Sequence, residues 1–207
     1  MLVNFSEDQG DRKCNLDAFC CFSSSENKFF LMLADGFGES SQEGVYKTIR
    51  NLSHLISSEE CEKIHPEHLE SSLEDHVKIS FLGLSVINNS FAHVVSSGDC
   101  RIYVNGQVLS SDDSVAWKAL IKRKSHDDAA KYAVAHPLRN RLTSHVEKGR
   151  KVEFKEVNFK VRPGDRVLVC TDGVWSIFHD HISNGEFYLD MVCGNIVDNG
   201  MALELVF

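Results

Sequence analysis

No stretch of this chain approaches the roughly 20 consecutive apolar residues that a helix needs to span a bilayer, so no membrane partner is expected. The first ten residues, Met1 to Gly10, carry Glu7 and Asp8 and no long apolar run, which argues against a signal peptide. Positive charge is in deficit: 22 Lys and Arg stand against 30 Asp and Glu, a formal net charge of -8. An acidic chain repels phosphate backbones, and no nucleic-acid partner is expected. The best basic patch, Lys118, Lys122, Arg123 and Lys124, reads as the solvated face of a helix. Repeats, linkers and low-complexity tracts are absent. The cysteines do not pair off either: there are seven, set among apolar neighbours as in Phe19-Cys20-Cys21-Phe22 and Val169-Cys170. Adjacent Cys20 and Cys21 would face opposite sides of a strand. This is the usage of reduced cysteine as a small hydrophobe, and a cytoplasmic monomer is expected.

What remains is an ordinary globular balance, with 43% hydrophobic and 25% charged residues over 207 positions. That suits one domain, 1–207, with a sizeable core. Residues 16–22 and 28–34 read as strands. Residues 41–57 carry Val45, Ile49, Leu52 and Leu55 at helical spacing, and a second helix follows Pro66. Apolar runs 77–87 and 90–96 flank Asn88-Asn89, and 101–104 and 107–109 flank Asn105-Gly106, two hairpin signals. Residues 115–122 and 127–135 read as helical. Val152, Phe154, Val157, Phe159 and Val161 alternate with one phase slip over 152–161. Strand 167–170, a short helix at 185–193 and a final strand 201–207 complete the pattern. Strands cluster in antiparallel hairpins with helices in separate blocks, an α+β arrangement.

Four aspartates share one local context. Asp35 and Asp172 each follow an apolar strand and precede a glycine; Asp17 sits at the entry to the first strand; Asp198 lies just before the last. A carboxylate at a strand end is held by the sheet and points into the loop layer. Several converging there cannot all stay ionised without a cation. Hard oxygen donors select Mg²⁺ or Mn²⁺, and two such ions about 3.5–4 Å apart can activate a water and clamp a phosphoryl oxygen. A single Asp-Gly, by contrast, is most simply turn chemistry.

The combination is more specific. Arg12-Lys13-Cys14-Asn15-Leu16-Asp17 resembles the opening Arg-x-x-Asn-x-Asp motif of the metal-dependent protein phosphatases, the PPM or type-2C family. Ala34-Asp35-Gly36-Phe37-Gly38 resembles that family's Ala-Asp-Gly-x-Gly. Gly98-Asp99-Cys100-Arg101-Ile102-Tyr103 resembles its Gly-Asp-Ser-Arg-x-Tyr, with Cys100 in the serine position. Thr171-Asp172-Gly173-Val174-Trp175 and Asp198-Asn199 resemble its later motifs, and all five stand in the family's order. His136-Pro137-Leu138-Arg139-Asn140-Arg141-Leu142 resembles the segment before the fourth.

The resemblance implies a four-layer sandwich, two central antiparallel sheets flanked by helices. It implies hydrolysis of phosphoserine or phosphothreonine in a phosphorylated protein, with two Mn²⁺ or Mg²⁺ ions and a weaker third. Asp35, Asp172 and Asp198 would hold the first ion. Asp17, Asp35 and the Gly36 carbonyl would hold the second, with Asp35 bridging. Asp99 with Asp172 would hold the third. Arg12 and Asp35 would be catalytic, Arg12 by gripping the substrate phosphate with its planar fork.

Three substitutions depart from the family pattern. Leu16 replaces a Glu or Gln, Glu39 replaces a glycine, and Phe37 replaces the histidine that eukaryotic members carry, which points to the bacterial branch. Segments 40–80 and 176–197 are short, and a reduced substrate-groove flap is expected. Two rivals follow: a PPM-like regulatory or binding module with impaired catalysis, and a phosphatase of small phosphorylated metabolites. Cys61, His65 and His68, interrupted by Pro66, read as surface residues. His179 and His181 read as loop residues. Trp117 and Trp175 read as core anchors.

Overall fold

The computed structural model describes every residue except Glu26 and Glu60. In chain order the elements are strands β1 (Leu2–Asp8), β2 (Asp17–Ser25) and β3 (Lys28–Gly36), then helices α1 (Gln42–Ser58) and α2 (Pro66–Ser72). Strands β4 (Lys78–Ile87), β5 (Phe91–Ser97), β6 (Arg101–Val104) and β7 (Gln107–Val108) follow. Helices α3 (Val115–Leu120) and α4 (His126–Val134) lead to strands β8 (Val146–Glu147), β9 (Lys155–Lys160) and β10 (Arg166–Cys170). Helix α5 (Asp172–Ser183) and strand β11 (Gly200–Val206) close the fold.

The strands make two sheets. One runs β1-β11-β10-β6-β7; the other runs β2-β3-β4-β5-β9, with β8 paired to the start of β4. Every pairing is antiparallel. Alternation divides the side chains among three apolar layers. Leu31, Leu33, Leu82, Leu84, Val167, Val169, Leu203 and Leu205 fill the space between the sheets. Phe30, Met32 and Phe81 face outward, against Val45, Ile49, Leu52 and Ile56 of α1. Leu168, Cys170 and Ala202 pack against Trp175 and Phe178 of α5 and the alanines of α4. The result is the expected four-layer α+β sandwich. Cys20 joins the outer layer and Cys21 the inner one, and all seven cysteines are free. Trp117 and Trp175 are buried.

The turns follow from residue type. Asn88 and Asn89 both have positive φ (52° and 48°), as do Asn105 and Gly106 (50° and 84°). Paired positive φ is the signature of the type I′ turn that matches strand twist. Ser41 caps α1 by accepting from the Gly44 N–H at 3.1 Å, and Pro66 opens α2.

Four expectations are corrected. Strand β1 was not anticipated: it is an edge strand paired only to β11, largely exposed, and so carries little apolar signal. His179 and His181, expected as loop residues, lie on α5. His179 is buried there with Nδ1 at 3.0 Å from the Tyr103 hydroxyl, and burial pushes its pKa down to about 4. The short helix expected at 185–193 is a single 3₁₀ turn, Leu189–Met191. The alternation over 152–161 forms a strand only over Lys155–Lys160.

Candidate metal centre and phosphate cleft

The register of the second sheet places Asp17 opposite Asp35, and Asp35 opposite Ser80. Ser80 donates from its hydroxyl to Asp99 at 2.7 Å. From the other sheet, β10 ends at Cys170, and Thr171 leads into α5 with Asp172 in its first turn. Asp198 and Asn199 stand immediately before β11. Strand ends of both sheets therefore deliver their carboxylates to one edge of the sandwich.

They line one cleft of about 730 Å³, with walls formed by Asp35, Asp99, Asp172 and Asp198 together with Gly36, Arg12, Lys13 and Leu16. Asn140, Arg141, Leu142 and His145 add a further wall from the segment between α4 and β8. Residues 140–145 thus wall the cleft although segments 40–80 and 176–197 are short. Phe37 also lines it and packs edge-on to the His145 ring, centroids 5.1 Å apart. The loop bearing Phe37 is tied to β4: Phe37 N–H donates to the Lys78 carbonyl at 3.1 Å, and Ser40 Oγ does so at 3.0 Å. Glu39 is exposed and outside the lining, so its charge bears less on the cleft than its sequence position suggests.

Two glycines allow the close approach. A Cβ on Gly36 would meet Val45 Cγ2 at 2.7 Å and the Leu16 carbonyl at 2.9 Å; one on Gly173 would collide with the Asn199 carbonyl. The Asp-Gly pairs are therefore more than turn chemistry, because any side chain there would push the acidic strand ends apart.

Asp17 departs from expectation. It lies outside the cleft lining, fully buried, with both carboxylate oxygens held: Thr171 Oγ donates to Oδ2 at 2.7 Å and Asn199 Nδ2 to Oδ1 at 2.6 Å. Thr171 Oγ in turn accepts from the Met201 N–H at 3.0 Å. Asp17 thus ties the two sheets beneath the cleft. Thr171 and Asn199 belong to motifs whose sequence gives them no role; only the contact across 154 and 182 residues reveals one. Arg12 also departs. It forks onto Asp198 rather than standing apart from the proposed ligands.

Electrostatics test whether this donor set suits cations. Burial pushes Asp17 up to about 7, and Asp172 and Asp198 add to this against the Thr171 and Asn199 hydrogen bonds. Burial and then Asp172 push Asp99 up to about 8. Asp35 lies well above the usual carboxylate range, from burial and then the Asp17, Asp172 and Asp99 charges. Asp172 is raised by burial and Asp198. Carboxylates crowded at one sheet edge favour protons unless a cation neutralises them, and the donors they offer are oxygen. Mg²⁺ or Mn²⁺ fits that set.

No protein-family profile and no curated protein sequence matches the chain. Solved structures do. The PPM Ser-Thr phosphatase MsPP from Mycobacterium smegmatis, in complex with cacodylate, is 18% identical, with a TM-score of 0.74 over 100% of this chain and 98% of that one. Serine/threonine phosphatase Stp1 from Staphylococcus aureus is 17% identical, with a TM-score of 0.77 over 99% and 94%. The fold is that of the PPM serine/threonine phosphatases. The catalytic domain of the PPM-fold phosphatase PstP, solved with two manganese ions, is 18% identical, with a TM-score of 0.66 over 98% and 96%.

Proposed function

We propose that this chain is a metal-dependent protein serine/threonine phosphatase that hydrolyses phosphoserine and phosphothreonine monoesters. The observation that carries this reading is the convergence of Asp35, Asp99, Asp172 and Asp198 on one cleft that also holds Arg12, Lys13 and Arg141. Carboxylates beside guanidinium and ammonium groups in one cleft suit a phosphate that must be both bound and polarised.

Asp35, Asp172, Asp198 and the Gly36 carbonyl would hold two Mn²⁺ or Mg²⁺ ions, Asp99 would help hold a weaker third, and Asp17 would act from beneath. Divalent cations in such a site supply charge that lowers the pKa of water and neutralises phosphoryl oxygens. The chain's own groups do the rest. Arg12 keeps Nη1 clear of Asp198 for a phosphate oxygen, since Nε and Nη2 are the nitrogens bonded to that carboxylate. Leu16 and Phe37 present apolar surface that limits water on one side. Thr171 and Asn199 hold Asp17 so that the two strand ends keep their spacing.

A second reading is a PPM-fold binding module with impaired catalysis, favoured by Leu16 in the cleft at a position where the family has an amide or carboxylate. Turnover of phosphopeptides and of small phosphorylated metabolites, with Mn²⁺ and after exhaustive chelation, separates the readings. Metal-dependent phosphopeptide turnover supports the proposal. Preference for metabolites moves the substrate class. No turnover with any divalent ion favours the binding module.

A further inference from the structure

At the junction of α1 and α2, Glu59, the residue that ends α1, Cys61 in the following turn and His68 in the first turn of α2 bring their side chains together. Cys61 Sγ lies 3.8 Å from His68 Nε2 and 3.8 Å from Glu59 Oε2, and the last two atoms are 3.5 Å apart. We propose that Glu59, Cys61 and His68 form a second metal site, for zinc, separate from the acidic cleft.

Geometry is the first argument. Tetrahedral zinc with bonds of about 2.0–2.3 Å to O, N and S has ligand–ligand edges of roughly 3.3–3.7 Å. The three atoms already form such a face to within a few tenths of an ångström, leaving the fourth position to water. Ligand type is the second. A thiol, an imidazole and one carboxylate select zinc over Mg²⁺ or Mn²⁺, the reverse of the four-carboxylate set in the cleft. Location is the third. Glu59 and Cys61 sit at the C-terminal end of α1, the negative end of its dipole, which favours a cation. His68 Nδ1 faces the His65 N–H at 3.3 Å, a long contact that turns Nε2 toward Cys61. Binding through Nε2 places the ring proton on Nδ1 and gives that contact up. Burial and the Glu59 carboxylate push the Cys61 thiol up, so the metal displaces a proton from sulfur.

The site is remote from the cleft. Ile64, three residues past Cys61, donates its N–H to Ser85 Oγ at 3.0 Å, and Ser85 pairs with Phe30 on β3. Asp35 stands five residues further along that strand, or about 17 Å at some 3.3 Å per residue. Zinc here would clasp α1 to α2 on the outer face of the sandwich. The sequence reads Cys61, His65 and His68 as surface residues; the fold instead brings Cys61 and His68 together with Glu59, with Pro66 starting α2 between the two histidines.

The test is a Co²⁺ titration of the full chain with the cleft saturated by Mg²⁺. One equivalent should give a thiolate-to-cobalt charge-transfer band that Zn²⁺ displaces, and Zn²⁺ should raise Tm. Cys61→Ser should abolish the band and the Tm rise, while Cys14→Ser and Cys193→Ser, at exposed thiols, keep both. His68→Gln should weaken Co²⁺ binding by at least about tenfold, the scale on which even supporting groups act at metal sites. Circular dichroism checks that each variant is folded. No band in the unmodified protein, or an undiminished band in folded Cys61→Ser, would overturn the proposal. Neither result bears on phosphatase activity, which is read separately.

Discussion

Arg12 lays its guanidinium on the carboxylate of Asp198, Nε to Oδ1 and Nη2 to Oδ2 both at 2.5 Å, across 186 residues of sequence. The arginine of the first motif and the aspartate of the last thus form one unit at the mouth of the cleft. Arg12 is 60% exposed, so the pair contributes little to stability, about 0–1 kcal/mol. Its consequences are functional.

Arg12→Ala should lower kcat/KM toward phosphopeptides by roughly 10- to 100-fold, the loss of a charge-assisted bond of about 1.5–3 kcal/mol. Arg12→Lys should recover only part, because a single ammonium cannot fork onto Asp198 and reach a phosphate oxygen at the same time. Calorimetric affinity of the cleft for Mn²⁺ should be unchanged or tighter, since Asp198 is released. Weaker Mn²⁺ binding would mean that Arg12 instead holds Asp198 in its binding pose.

Asp35→Ala should bring turnover to the limit of detection, whereas Asp127→Ala, at an exposed aspartate on α4, should leave it near normal. In chelator the Asp35 variant should melt higher than the parent, because one of several crowded carboxylates is gone. Equal turnover in the two variants would remove Asp35 from the site. Asp112 is unsuitable as a control: it is buried in a two-pronged pair with Arg101, at 2.9 and 2.7 Å, and losing it leaves an uncompensated charge.

Asn199→Ala should destabilise the protein by about 1–3 kcal/mol in urea unfolding, because Asp17 Oδ1 loses its donor in a fully buried setting. An unchanged urea midpoint would show that the inter-sheet tie contributes nothing to stability.

Stability in chelator should fall as pH rises. Asp17 and Asp99 have folded-state pKa values of about 7 and about 8, against a reference of 3.8. Below about pH 4 these groups are protonated in both states. Above it the unfolded chain releases protons that the folded state retains, so their contribution is lost progressively up to pH 7–8. Tm in chelator should therefore drop between pH 5 and pH 8, and saturating Mg²⁺ should reduce the drop. A flat profile in chelator would contradict the raised values.

By itself the sequence determined the elements whose signal is local. Short apolar runs bounded by turn residues predicted β2 to β5 and β10, a 3.6-residue apolar spacing predicted α1, and paired turn residues predicted both hairpins, because each depends on neighbours a few positions apart. It also located the aspartates at strand ends. Other features needed the tertiary structure. Strand β1 is defined by its partner β11 and not by its own hydrophobicity, and α5 buries His179, which the sequence read as a loop residue. Asp17 belongs beneath the cleft because Thr171 and Asn199 reach it from the other sheet. Glu59 joins Cys61 and His68 because α2 packs against α1. Each of these rests on contacts between residues distant in sequence or on the path of a turn, and such proximity is decided only when the sheets and helices pack.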